Sequence, residues 1–219
     1  MASLIYIADP MCSWCYGFGP ELASLQAGLP GLPVHVVTGG LRAYNRQPAD
    51  DTFRNMLRGH WEEVAARTGL PFTDTGMTGP GFVYDTEPAC RAVVAARLLS
   101  PSAALPVFTA VQRAFYVDGR DVTSGETLAA VALPALEAAG VKAGAGEFIA
   151  LWGSEAAVRA TGKDFQQTQR WGVNGFPALV LERDGKLDLV TLGYLQMPLL
   201  VERMQAVLDA APADDAPAA

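Results

Sequence analysis

The sequence predicts an α/β fold: a four-stranded mixed sheet covered by helices and split by a large helical insertion. Three observations predict it. A strand-like run, a helical segment and a second strand-like run open the chain. A hairpin and a helix close it. Between them lies a long Ala- and Leu-rich stretch that is poor in β-branched runs.

The opening strand is Leu4-Ile5-Tyr6-Ile7-Ala8, followed by a turn, Asp9-Pro10-Met11. A helix is expected from about Tyr16 to Gln26, with Phe18, Leu22 and Leu25 at helical spacing. It should stop near Gly28, because Pro30 and Pro33 forbid continuation. Val34-His35-Val36-Val37-Thr38 is the second strand, closed by Gly39-Gly40. A βαβ unit of this length implies parallel strands and a right-handed crossover.

From about Arg46 to Arg170 the pattern is helical. Phe53, Met56, Leu57, His60, Trp61 and Val64 recur at helical spacing, and packing is the default role for His60 and Trp61. Asp85 or Thr86 can cap a helix whose first turn accepts Pro88 without losing a hydrogen bond. That helix runs through Cys90, Val93, Val94 and Leu98. Further helices are expected around residues 105–116, 125–139, 147–152 and 155–171. Pro134 should kink or interrupt the second of these four. Arg54, Arg58, Glu62 and Glu63 read as a solvated face with local ion pairs.

The closing section returns to strands. Ala178–Glu182 and Leu187–Leu192 flank Arg183-Asp184-Gly185-Lys186. Asp-Gly between apolar runs signals a hairpin, because Gly accepts the positive φ of a type I′ turn. A final helix, about Met197 to Leu208, presents Leu200, Val201, Met204 and Leu208. Residues 211–219, all Ala, Pro and Asp, read as a disordered tail. The expected organisation is a discontinuous sheet domain, residues 1–45 and 171–210, holding an insertion domain, residues 46–170.

Composition narrows the function. The chain has 219 residues, half of them hydrophobic, which is ample for a buried core. A net charge of -7 and a pI near 4.8 offer no basic patch, so no nucleic-acid partner is expected. No apolar run is long enough for a bilayer span, so no membrane partner is expected either. The first residues carry no basic region and no long apolar run, which argues against a secretory leader. Three cysteines, Cys12, Cys15 and Cys90, do not suit a secreted disulfide scaffold. These points suggest a cytoplasmic protein in which a disulfide is transient and catalytic.

The chemistry centres on Cys12-Ser13-Trp14-Cys15. Two thiols three positions apart at a helix start lie within reach of a disulfide. The first faces the unpaired amides and positive dipole end of the helix, which favour its thiolate. Cys12 is thus the candidate nucleophile and Cys15 the candidate resolving thiol. Ser13 can donate to a thiolate, and Trp14 shields it from water and can contact substrate. The same spacing also serves half of a zinc site, but that needs a second close ligand pair. Cys90, His35 and His60 occur singly, so no metal is expected.

Phe176-Pro177 precedes the third strand. Pro cannot donate into a ladder and belongs at a strand's start or edge. In a cis bond it would turn the Phe176 backbone outward, where an extended substrate could pair beside Cys12. An ordinary trans loop proline is the plain alternative. Asp9 has two readings: a cap on the turn before Cys12, or a proton acceptor for Cys15 that tunes the redox pair. Tyr16 could line a peptide groove, whereas Phe18 suits the core. His35 fits a sheet residue. Cys90, on an apolar helical face, fits inert packing, with a regulatory disulfide as the alternative.

Taken together, strand–CxxC–helix at one end and Gly-Phe-Pro before a hairpin and helix at the other resemble the thioredoxin fold. The long helical insertion resembles its DsbA-type branch. Asp9–Cys15, Gly39-Gly40-Leu41, Asp85-Thr86-Glu87-Pro88-Ala89 and Gly172-Val173-Asn174-Gly175-Phe176-Pro177 are similar to the FrnE-like group, regarded as cytoplasmic protein-disulfide isomerases. The resemblance covers nearly the whole chain except the tail. It implies Cys12 as nucleophile, Cys15 as resolving thiol and Pro177 as the cis-proline. Substrates would be disulfide-containing proteins or small thiols, with no cofactor beyond glutathione as a co-substrate. Ser-Trp differs from the Pro-His dipeptide of strongly oxidising DsbA proteins, so a less oxidising couple is expected. The same branch holds kappa-class glutathione transferases and 2-hydroxychromene-2-carboxylate isomerases, in which a Ser usually replaces the first Cys. A redox-switched chaperone or sensor is a further, non-enzymatic reading. The sequence leaves the oligomeric state open.

Overall fold

Four strands form one sheet in the order β2-β1-β3-β4 in a computed structural model that describes residues 2–210. The expected disordered tail therefore lies outside the described residues. β1 (Ala2–Ala8) leads through α1 (Ser13–Gly28) to β2 (Val34–Thr38), which pairs parallel to β1. β3 (Ala178–Arg183) returns to pair antiparallel with the other edge of β1, placing Ile7 opposite Ala178. β4 (Lys186–Leu192) completes the hairpin. Asp184 and Gly185 both have positive φ, 51° and 82°, as a type I′ turn requires.

Between β2 and β3 lie α2 (Asp51–Thr68), α3 (Glu87–Leu99), α4 (Ala104–Tyr116), α5 (Gly125–Ala138), α6 (Ala145–Trp152) and α7 (Glu155–Arg170). α8 (Met197–Asp209) follows β4. Asp50 caps α2 through the Phe53 amide. α3 starts after Thr86 with Pro88 in its first turn, where a missing N–H costs nothing, and Asp85 accepts the Glu87 amide.

Pro134 does not interrupt α5. The carbonyl it leaves without a donor belongs to Ala130, an exposed residue, so water can satisfy it. His60 is also misplaced by its spacing: it is exposed, whereas Trp61 and Val64 are buried. α2 meets the rest of the protein along a narrow stripe, and Met56 is exposed as well. Arg58 pairs with Asp74 at 2.6 Å, across a loop rather than along its own helix.

The core falls into linked clusters. One fills the insertion, with Trp61, Tyr84, Phe115 and Tyr116 at its centre. A second lies between the sheet and α1 and α8, yet it includes Val93, Ala104 and Phe108 from the insertion helices. A polar joint adds to this. Arg97 of α3 forms a two-pronged pair with Asp164 of α7, at 2.8 and 2.9 Å, and donates to the Val36 carbonyl. Asp164 in turn accepts from the amide and hydroxyl of Thr38. Two insertion helices are thereby fastened to the end of β2, next to Gly39-Gly40.

Candidate active site

β1 ends at Ala8, and the chain turns sharply before α1. Asp9 makes that turn: its Oδ1 accepts the Met11 amide at 2.8 Å, and its carbonyl accepts the Cys12 amide at 3.0 Å. Cys12 is the residue that caps α1, in extended backbone, and Ser13 opens the helix. The helix thus begins three residues earlier than its apolar spacing suggests. Cys15 lies inside the first turn. Neither thiol is in a disulfide.

The two sulfurs differ in access. Cys12 is 6% exposed and Cys15 is 0% exposed. Burial pushes the Cys15 thiol well above its ordinary range, and the Cys12 sulfur beside it adds to the push. Cys12 instead keeps a little exposed surface. Its Sγ donates to the Phe176 carbonyl at 3.8 Å. The Phe176–Pro177 bond is cis, and Pro177 directly precedes β3. Pro177 is itself buried, and its carbonyl accepts the Gly193 amide at 2.7 Å. The fold therefore brings together a cysteine near one end of the chain and a proline near the other.

Around this centre, Trp14 packs on Tyr194, ring centroids 5.5 Å apart, and both are partly exposed. Tyr194 donates to Glu21, and the Arg67 guanidinium lies over its ring. Tyr16 is turned the other way. It stacks on Tyr116 at 4.9 Å and donates to the Pro71 carbonyl, so it joins α1 to the insertion. Phe18 is fully buried. His35 is exposed on β2 and far in sequence from any catalytic pattern. A cavity of about 350 Å³ lies between α1 and α4, lined in part by Tyr6, Phe108 and Gln112, but Cys12 does not line it.

Asp9 does more than cap its own turn. Its Oδ2 accepts the Leu41 amide at 2.7 Å and the Cys90 thiol at 3.4 Å. Burial raises its carboxyl above the ordinary range, although these donors pull it back. Cys90 is fully buried, and burial followed by the Asp9 charge pushes its thiol well up. Cys90 is therefore held as a hydrogen-bond donor to Asp9. Spacing alone could place it only on an apolar face.

Two tyrosines escaped the sequence reading. Tyr84 donates to the Met11 carbonyl immediately before Cys12. Tyr6 donates to the Cys15 carbonyl at 3.3 Å. Both are fully buried, and burial is the first cause that raises both phenols. No spacing rule announces such a contact. A buried tyrosine does need a partner for its hydroxyl, and that requirement was the available signal. Among the described residues, no group of three or more His, Cys, Asp and Glu is arranged to hold a metal ion. No helix among them is long and apolar enough to cross a membrane.

A thioredoxin-like sheet, with a CxxC pair at a helix start facing a cis-proline, defines the class of thiol–disulfide oxidoreductases. The chain belongs to the DSBA-like thioredoxin domain family, which matches residues 4–205. Among solved structures, it is similar to a protein from Nitrosomonas europaea assigned as a protein disulfide isomerase. That match has 36% identity and a TM-score of 0.82, over 94% of this chain and 97% of that one. It is also similar to the cytosolic disulfide reductase DsbM from Pseudomonas aeruginosa. There the identity is 31% and the TM-score 0.73, over 95% of this chain and 100% of that one. A 2-hydroxychromene-2-carboxylate isomerase shares the fold at 15% identity, with a TM-score of 0.62, over 94% of this chain and 95% of that one. No curated protein matches. Family and relatives together support a general disulfide oxidoreductase.

Proposed function

We propose that the protein exchanges disulfides with protein or small-thiol substrates through Cys12 and Cys15. The observation that carries this reading is the Cys12 sulfur on the Phe176 carbonyl, with Cys15 buried directly behind it. A backbone edge beside the less buried of the two sulfurs offers a place for an extended disulfide substrate. Trp14, Phe176 and Pro177 form the walls of that place, and Ser13 and Asp9 tune the pair.

The exchange runs in two steps. The Cys12 thiolate attacks one sulfur of the substrate disulfide, forms a mixed disulfide and expels the other sulfur as a thiolate. Cys15 then gives up its proton, attacks the Cys12 sulfur and expels the second substrate thiolate. The substrate gains two electrons, and Cys12–Cys15 becomes a disulfide. Two external thiols, glutathione for example, return it to the dithiol and leave as their own disulfide. The same steps reversed oxidise a dithiol, and Cys12 alone can shuffle disulfides.

The second step needs somewhere to put the Cys15 proton, because burial favours the thiol. Asp9 is the nearby carboxylate, and its own raised affinity for protons suits it to accept one. A cytoplasmic setting is part of the proposal, supported by DsbM, which is described as cytosolic. The DsbM structure with GSH, 28% identical to this chain, supports glutathione as the external thiol.

The test is a Cys15→Ala variant, which should accumulate a mixed disulfide with a peptide disulfide, visible by mass spectrometry and removed by dithiothreitol. Cys12→Ala should trap nothing. An untrapped Cys15→Ala protein, or a Cys12→Ala protein with unchanged disulfide reductase activity, would falsify the scheme.

A further inference from the structure

Gly39, the first residue after β2, faces the ring of Phe176. A Cβ placed on Gly39 would lie 2.8 Å from the ring's Cε2 and closer still to Cζ and Cε1. Real Cβ atoms do not approach a neighbour so closely, so the ring occupies the space that any side chain at 39 would need. Gly40 differs in kind. Its φ is +67°, a conformation that itself favours glycine, and its own missing Cβ is replaced by the Phe165 ring. Gly39 has no such backbone requirement. The three atoms nearest to a Cβ at this position all belong to the Phe176 ring.

Both partners are held by their neighbours. The Gly39 amide donates to the Ala8 carbonyl at 2.8 Å. On one side, Thr38 is bound through its amide and hydroxyl to Asp164 and through its carbonyl to Thr168. On the other, the Leu41 amide is bound to Asp9. The backbone at 39 is thus anchored on both flanks. The Phe176 ring packs against the clusters on both faces of the sheet. With its ring held on both sides, Phe176 is confined at the position where its carbonyl accepts from the Cys12 thiol.

We propose that Gly39 is a positioning residue for disulfide exchange. By lacking a side chain it lets the Phe176 ring settle against the end of β2, and this sets the Phe176 carbonyl opposite Cys12. The proposal rests on the exchange reading above, and it gives the Gly-Gly pair a role that the two-step chemistry leaves unassigned.

The test is a double-variant cycle in the Cys15→Ala background. The four proteins carry Gly or Ala at 39 and Phe or Leu at 176. Leucine lacks the three ring atoms that crowd position 39. Each protein is mixed with a cysteine peptide capped as a thionitrobenzoate disulfide. Attack by Cys12 forms the peptide mixed disulfide and releases coloured thionitrobenzoate, whose appearance gives the rate. Gly39→Ala should slow the reaction roughly 10- to 100-fold, the scale expected when a reacting group is misplaced by about an ångström. In the Phe176→Leu background the same Gly39→Ala change should cost less than about twofold, because the obstructing ring is gone. A Gly39→Ala protein that folds only together with Phe176→Leu would likewise support the ring as the obstacle. An equal loss in both backgrounds, or no loss in either, overturns the proposal while leaving the exchange reading intact. If the Cys15→Ala parent itself forms no adduct, both fall together.

Discussion

Asp9 gathers more of the site's backbone than any other side chain. One carboxylate holds the Met11 amide before Cys12, the Leu41 amide beyond β2 and the Cys90 thiol of α3. Its carboxyl is raised above the ordinary value of 3.8, chiefly by burial. In the window above 3.8 the native protein therefore binds more protons than the unfolded chain. Its stability contribution is complete below that value and is lost as pH rises through the higher folded value. Cys15 and Cys90 remain thiols throughout this window, since both are raised. The expected outcome is that wild-type stability falls from about pH 4 towards neutrality relative to Asp9→Asn. Urea unfolding midpoints across that range would show it. Parallel pH profiles for the two proteins would contradict it. At this scale the sequence was partly legible. Cys12, Cys15 and Pro177 stand out by residue type and spacing. Cys90, Tyr84 and Gly39 do not, because their partners are set by packing between segments 40 or more residues apart.

At the scale of elements, the strands and helices announced themselves through period and punctuation. Asp184-Gly185, Pro88 in a first helical turn and the β-branched run of β2 each have one local solution. Errors arose where solvent decided the matter. Pro134 stays in α5 because the orphaned carbonyl belongs to exposed Ala130. His60 points outward because α2 has a narrower buried stripe than its apolar spacing implied. The joint between α3, α7 and β2 was invisible, since no local pattern pairs Arg97 with Asp164. That joint matters to the site because it ends one residue before Gly39. Asp164→Ala would leave the partly buried Arg97 guanidinium with the Val36 carbonyl but no counter-charge, and the Thr38 amide without its acceptor. It should destabilise the protein by about 3 kcal/mol, measured by urea unfolding. A loss under about 1 kcal/mol would mean that the pair is a surface-like contact.

At the scale of the molecule, the insertion is not an appendage. Val93, Ala104 and Phe108 share a buried cluster with Leu4, Tyr6 and Leu179 of the sheet. Sheet and insertion should therefore unfold in one cooperative transition. Trp61 and Trp152 report on the insertion, and Trp14 and Trp171 on the sheet end. Denaturation curves from tryptophan fluorescence and far-UV circular dichroism should superimpose. Two resolved steps would show that the sheet stands alone.

The position of β1 has a consequence for how the protein is made. β1 lies inside the sheet, with β2 on one flank and β3 on the other. The first neighbour is translated almost at once, the second only after the whole insertion. At ~5–20 residues per second, the nascent strand waits on the order of ten seconds with one row of amides and carbonyls unmatched. During synthesis the CxxC motif hangs from a half-built scaffold, and its sulfurs meet solvent or a chaperone before they ever meet the cis-proline.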